Sequence, residues 1–150
     1  MKKKVSKKIT KAVRPTYHIV VFVAFLVALV IDQVTKNIAS FSGNVSINPG
    51  VSFGLLSGPW LTVLLLVFFV AFFEWSCPRW HKQYPIASGF LLGGAMSNIV
   101  DRIVLNGVRD FMPIPLSSIQ NNIADWFIVV ALAYILFKSM GQKPPVSQKR

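Results

Sequence analysis

The stretch GFLLGGAMSNIVDRIV, residues 89–104, decides the fold because it is apolar enough for a membrane helix and still carries polar side chains. At helical spacing, Gly94, Asn98 and Asp101 fall on one stripe, with Arg102 beside them. The apolar residues between them are left to face lipid. The pattern predicts a helix that turns its polar stripe towards the interior of a helical bundle.

The same stretch predicts close helix packing and distant polar partners. Gly89 and Gly93 are four residues apart, the small-xxx-small spacing that lets a second helix approach closely. Asp101 and Arg102 are sequence neighbours and cannot face each other, so each needs a partner elsewhere. The planar fork of Arg102 suits a carboxylate or a substrate carbonyl, and a structural ion pair is an equally good account.

Beyond this stretch, the composition indicates a membrane protein of one domain, since 53% of the 150 residues are hydrophobic and 14% are charged. Four segments are long and apolar enough to cross about 30 Å of hydrocarbon, or nearly so. They are residues 17–34, 59–75, 85–104 and 122–137. We therefore expect an all-α integral membrane protein with four transmembrane helices. A cleaved signal peptide is the alternative for the first segment, but cleavage after it would discard Asp32.

The basic residues predict the orientation. The formal net charge is +11, and seven of the sixteen basic residues lie in the first fourteen positions, in a tail over residues 1–16 with no aromatic residues among its lysines. Such a tail favours anionic lipid over nucleic acid as its partner. If both termini are cytoplasmic, with residues 138–150 as the second tail, the outer side keeps only Lys36, Arg102 and Arg109. The positive-inside rule then predicts an N-in, C-in protein with small outer loops, irregular or with short strands, near residues 35–58 and 105–121.

Four of the five acidic residues are predicted to converge on the outer face: Asp32, Asp101, Asp110 and Asp125. Ionisable groups at membrane depth are costly and usually functional. The alternative is that they are interfacial and solvated. For Asp32 a local partner is available, because Lys36 follows one helical turn later.

The fourth span opens with NNIAD, residues 121–125, in which Asn122 and Asp125 share one face. A helix N-terminus favours an ionised carboxylate, and Asn121 is a candidate N-cap. Asp110 lies fifteen residues before Asp125, a link that can bring the two carboxylates together. Two carboxylates held close share one proton, so one serves as general base and the other as general acid.

Other chemistries lack support in the sequence. Both histidines, His18 and His81, fall on the predicted cytoplasmic side, and there is no HExxH or CxxC motif. Cys77 has no second cysteine for an intramolecular disulfide. There is no GxSxG motif and no phosphate-binding glycine loop. We expect neither metal nor cofactor.

An ordered series of motifs resembles the lipoprotein signal peptidase (signal peptidase II) family. The series is DQVTK at 32–36, NPGVSFG from Asn48, GGAMSNIVDR from Gly93, VRDF around Asp110, and NIAD ending at Asp125. The resemblance implies an aspartic endopeptidase of a bacterial cytoplasmic membrane, with its active site at the outer face. It would cleave diacylglyceryl-modified prolipoproteins just before the modified cysteine. We expect it to act as a monomer.

The resemblance also implies roles for individual residues. The catalytic pair would be Asp110 and Asp125. The supporting and substrate-contacting positions would be Asp32, Lys36, Asn48, Gly50, Gly94, Asn98, Asp101, Arg102, Asn122 and Ala124. The chain departs from the family pattern at Ser97, where glycine is usual, at Arg109, where an apolar residue is usual, and at Asn121, where phenylalanine is usual.

Two other functions remain open at this point. One is a catalytically degenerate relative that binds lipoproteins, because both outer loops are short for the family. The other is a small proton-coupled transporter, which would place its ionisable groups along a path near the membrane midplane. Here the acidic residues gather at one predicted interface, and this favours the peptidase.

Overall fold

A computed structural model describes residues 16–51, 56–57, 63–64, 67–68, 71, 80–117 and 119–140. Nearly all of the basic tail over 1–16, most of the predicted second span over 59–75, and most of the tail over 138–150 lie outside the described residues. Within that second span, positions 63–64, 67–68 and 71 are helical.

The described part of the chain is mainly helical. Helix α1 runs Thr16–Phe41, α2 runs Trp80–Gln83, α3 runs Pro85–Leu105 and α4 runs Ile123–Met140. Helix α1 continues to Phe41, beyond the predicted end at residue 34, so Lys36 is helical. Helix α3 begins with a proline, whose fixed backbone angle suits a first turn. It ends at Asn106, which adopts a left-handed conformation with φ of 56° and donates its N–H to the Arg102 carbonyl.

Among the residues that the structure describes, six short strands occupy the two segments that the sequence assigns to the outer loops. They form three antiparallel pairs: β1 (Ser46–Asn48) with β4 (Val108–Asp110), β2 (Gly50–Val51) with β3 (Leu56–Ser57), and β5 (Met112–Pro113) with β6 (Gln120–Asn121). In the first pair, Ser46 lies opposite Asp110 and Asn48 lies opposite Val108. The two loop segments are therefore joined directly beside Asp110.

Helix α3 is the centre of the packing, with α1 on one side and α4 on the other. A Cβ atom on Gly89 would collide with Ala24, and one on Gly93 would collide with the carbonyl of Phe25. Gly94 faces α4 in the same way, since its Cβ would come within 2.8 Å of the Ala124 carbonyl oxygen. The predicted close packing at the glycine pair is confirmed.

Burial is inverted relative to a water-soluble protein. Polar side chains are enclosed, with Lys36 and Asp32 at 0% exposure, while Phe22 and Phe137 are exposed to 59% and 76%. An apolar cluster lies at the opposite end of the bundle from these polar groups and joins α2, α3 and α4 through Trp80, Leu91, Ala131 and Ile135. By length and composition, two of the described helices can cross a membrane, over Tyr17–Phe41 and Ile123–Met140.

Candidate active site

Asp110 lies at the end of β4 and is 3% exposed. Two amide groups hold its carboxylate: Asn122 Nδ2 donates to one oxygen at 2.7 Å, and Asn48 Nδ2 donates to the other at 3.0 Å. Burial raises the pKa of the Asp110 carboxyl above its ordinary value, and the hydrogen bonds from Asn48 and Asn122 act in the opposite direction. Asp110 therefore retains its proton to a higher pH than a solvated aspartate does.

Asp125 lies in the first turn of α4 and forms a reciprocal cap with Asn122. The Asp125 backbone N–H donates to Asn122 Oδ1 at 3.1 Å, and the Asn122 backbone N–H donates to Asp125 Oδ2 at 3.4 Å. This exchange is the geometry of a capping box. Asn122 is thus the N-cap, and the prediction that Asn121 caps the helix is wrong, because Asn121 is the last residue of β6.

Asn122 and Asn98 bring the two carboxylates into one site. The side-chain amide of Asn122 binds Asp110 while its oxygen binds the Asp125 backbone. Asn98, from the polar stripe of α3, donates its Nδ2 to Asp125 Oδ1 at 2.8 Å. We call Asp110 and Asp125 the amide-held pair. Among the described residues, neither carboxylate forms an ion pair.

The other two aspartates form an ion-pair cluster with Lys36 and Arg109. Lys36 Nζ lies 2.6 Å from Asp32 Oδ2 and 3.3 Å from Asp101 Oδ2. Arg109 NH2 lies 2.7 Å from Asp101 Oδ1. The predicted pairing of Asp32 with Lys36 is confirmed, and the partners of Asp101 come from α1 and β4.

Asp32 also fixes the start of α4. Its Oδ1 accepts a hydrogen bond of 2.8 Å from the Ala124 backbone N–H, and its Oδ2 accepts one of 2.7 Å from Ser97 Oγ. Ala124 is fully buried against Gly94 of α3, where a Cβ atom on Gly94 would crowd the Ala124 carbonyl oxygen. Ser97, a departure from the family pattern, thus acts as a hydrogen-bond donor inside the bundle.

Arg102 stands next to the amide-held pair without binding it. Its NH1 donates to the Asn98 carbonyl at 3.1 Å, and its charge interacts electrostatically with Asp125 and Asp110. In the part of the chain that the structure describes, its guanidinium forms no hydrogen bond with either carboxylate.

The structure gathers nearly every predicted site residue around these two groups. Gly50 begins β2, two positions after Asn48, and pairs with Ser57. Residues that the sequence argument missed are Gln33 and Asn37, both of which bind Arg109. Their spacing of four residues on one helix indicates that they share a face. Nothing in the sequence indicates that Arg109, on a distant strand, is their partner.

The same residues do not form an obvious metal site. Across the described ranges, no three His, Cys, Asp or Glu side chains are placed to hold a metal ion. The amide-held pair is a carboxylate site that hydrogen bonds organise.

A model of the signal peptidase (SPase) II family matches residues 24–141. A lipoprotein signal peptidase of Nostoc punctiforme is 33% identical over 152 aligned residues, covering 86% of this chain and 94% of that protein. One of Rhodopseudomonas palustris is 33% identical over 146 residues, covering 78% and 89%.

A solved structure of a bacterial membrane enzyme matches with a TM-score of 0.67 at 20% identity, covering 87% of this chain and 93% of that one, which shows likeness of fold. Because the family model spans most of the sequence and the relatives cover most of it, the chain belongs to the signal peptidase II family of aspartic-type membrane peptidases.

Proposed function

We propose that Asp110 and Asp125 are the catalytic pair with which this enzyme removes signal peptides from lipid-modified prolipoproteins, cutting before the modified cysteine. One observation carries the proposal. Of the four aspartates brought together, two have cationic partners, whereas the carboxylates of the amide-held pair are bound by amides and form no ion pair with a described residue.

The electrostatics of the pair suit acid and base catalysis. Two carboxylates on either side of Asn122 repel each other when both are ionised, so together they retain one proton. The raised pKa of Asp110 acts in the same direction. One carboxyl then donates a proton while the other accepts one at neutral pH.

The reaction follows from this shared proton. The ionised carboxylate takes a proton from a water molecule as its oxygen bonds to the scissile carbonyl carbon. The protonated carboxyl donates to the carbonyl oxygen, giving a neutral tetrahedral diol. The carbon–nitrogen bond then breaks, the leaving nitrogen takes one proton, and the carboxyl product forms. The pair ends with one proton, as it began.

The neighbouring polar groups would hold the substrate. Arg102 and the amides of Asn48, Asn98 and Asn122 lie around the carboxylates and can bind the peptide backbone beside the scissile bond. The lipid chains of the substrate would lie between the exposed apolar helix faces and the bilayer.

We further propose a four-span, N-in, C-in arrangement in a bacterial cytoplasmic membrane, with the site at the outer face and the protein monomeric. The basic residues support this orientation, since thirteen of the sixteen lie in the segments assigned to the inside. The exposed apolar faces of α1 and α4 support membrane insertion.

The test is cleavage of a diacylglyceryl-modified prolipoprotein by the purified protein in detergent, followed by gel mobility. Asp110→Asn and Asp125→Asn should each lower kcat by about 10²- to 10⁴-fold, the usual contribution of a general acid or base. Glu74→Gln, an acidic residue on the predicted cytoplasmic side, is the matched control and should keep the parental rate.

Three outcomes would overturn the proposal. If either aspartate variant keeps the parental rate, or if a chelator abolishes cleavage, the pair is not the catalytic centre. If the folded parent binds the substrate without cleaving it, the chain is a binding relative.

A further inference from the structure

Arg109 and Asp110 are neighbours on β4, a strand of three residues in which successive side chains point to opposite faces. Asp110 points to the amide groups of Asn48 and Asn122. Arg109 points to the other face, where it meets the helices. Arg109 thus anchors β4 to the helices on the face of the strand opposite the Asp110 side chain.

The contacts of Arg109 with α3 are unusually complete. Its NH2 donates to Asp101 Oδ1 at 2.7 Å, its Nε donates to Asp101 Oδ2 at 3.2 Å, and its backbone N–H donates to the same Oδ2 at 3.0 Å. Side chain and main chain therefore bind one carboxylate, which is 1% exposed. A bidentate pair of this kind fixes orientation as well as distance.

Two residues of α1 bind the rest of the guanidinium. Its NH2 donates to Gln33 Oε1 at 2.7 Å, and its NH1 donates to Asn37 Oδ1 at 2.6 Å. Gln33 in turn donates to Asp101 Oδ1 at 3.0 Å and to Ser97 Oγ at 2.9 Å. Arg109 therefore joins β4 to both α1 and α3 through a closed set of hydrogen bonds.

We propose that Arg109 is a positioning residue that sets the place of the Asp110 carboxylate by fastening β4 to the two helices. A two-stranded sheet is only marginally stable without packing against another element, and β1 and β4 pair over three residues. Fastening at Arg109 supplies that support one residue from Asp110. The sequence departs from the family pattern at this position, so the device belongs to this chain.

The inference rests on the proposed role of Asp110, and its test separates the two. In the prolipoprotein cleavage assay, Arg109→Met should lower kcat by about 10- to 100-fold, because small displacements of a reacting group cost that much, while KM stays within about twofold. Arg109→Lys keeps a positive charge near Asp101 but lacks the planar guanidinium group. Relative to Arg109→Met, it should recover stability but only part of kcat. Lys138→Met, at the exposed end of α4, is the matched control and should change neither constant.

A second variant guards against misfolding of the first. Asn37 is exposed, so Asn37→Ala removes one contact of Arg109 without opening a cavity, whereas Asn44→Ala is the exposed control. Asn37→Ala should lower kcat by about twofold to tenfold, and this effect should vanish in the Arg109→Met background.

Four results bear on the outcome. The positioning role is overturned if Arg109→Met keeps the parental kcat per folded molecule, or if its loss lies entirely in KM. It is also overturned if Asn37→Ala and Arg109→Met act additively. If instead Asp110→Asn keeps its activity, the proposed function fails first, and the two failures are distinct.

Discussion

The four aspartates of the site divide into two pairs with opposite surroundings. Asp32 and Asp101, in the ion-pair cluster, lie 2.6 and 3.3 Å from Lys36, and Asp101 also meets Arg109. In the amide-held pair, the Asp110 carboxylate accepts hydrogen bonds from two neutral amides, at 2.7 and 3.0 Å, and forms no ion pair with any described residue. Asp32, Asp101 and Asp110 are all buried, at 0%, 1% and 3% exposure, so the two pairs differ chiefly in the groups that contact their carboxylates.

A cation and an amide hold a carboxylate in different ways. A cation next to a buried carboxylate stabilises its charge directly through the ion pair. An amide donor supports the ionised form less, and burial opposes it, so the pKa of Asp110 is raised. Under the proposed function, the two aspartates with ion-pair partners support the site, and the two held by amides carry the reaction.

Asn98 separates the two regions and also connects them. Its Oδ1 accepts from Lys36 Nζ at 2.8 Å, while its Nδ2 donates to Asp125 Oδ1 at 2.8 Å. The amide thus stands between the ammonium group and the nearest carboxylate of the amide-held pair. Asn98 therefore links the ion-pair cluster to Asp125 through a neutral group.

The largest effect is expected from removing the cation of the cluster. Lys36→Met should lower the free energy of unfolding by about 3 to 5 kcal/mol, because Asp32 would be left buried without its cation and Asp101 would lose one of two. Thermal and denaturant unfolding in detergent measure it, with the exposed Lys82→Met as control. A Lys36→Met variant as stable as its parent would remove the distinction between the two pairs.

A smaller and sharper effect is expected at Asn122, which serves both the helix cap and Asp110. Asn122→Ala should lose about 0.5 to 2 kcal/mol of stability with its cap, and kcat should fall with its amide. Asn122→Ser can restore the cap but cannot reach Asp110 with an amide, so it should recover stability and not kcat. Equal recovery of both quantities would mean that Asn122 acts only through the cap.

The smallest effect is a pH dependence of stability. Because the folded-state pKa of Asp110 is raised, the folded protein binds more protons than the unfolded chain between the ordinary aspartate pKa and the raised one. The contribution of Asp110 is therefore present at low pH and is lost as pH rises through the raised value. Asp110→Asn should lack this loss, which unfolding midpoints across pH would detect. If the unfolding midpoint changes with pH equally in the parent and in Asp110→Asn, the predicted contribution of Asp110 is contradicted.

Much of the helical framework could be predicted from the sequence, because the signals are local. Helix α3 runs Pro85–Leu105 where the apolar pattern indicates residues 85–104, and its polar stripe is buried at Asn98 and Asp101. The family was predicted from five motifs and is confirmed by the family model. The catalytic roles of Asp110 and Asp125 stay predictions.

The missed features depend on long-range pairing. Strands of three residues, such as β1 and β4, carry too little periodicity to predict, and their residues are 62 apart at the contact of Asn48 with Asp110. The partners of Arg109 come from α1 and α3, so nothing near it in sequence points to them. The choice between Asn121 and Asn122 as cap rests on where β6 ends.

The spacing of Asp32 and Lys36 also bears on how the protein is made. Helix α1 emerges from the ribosome well before α3, β4 and α4, which carry the polar partners that Asp32 and Lys36 have outside their own helix. Since the two charges lie one helical turn apart and meet at 2.6 Å, α1 supplies its own counter-ion. Helix α1 can therefore enter the bilayer as an electrically neutral segment before the rest of the chain is synthesised.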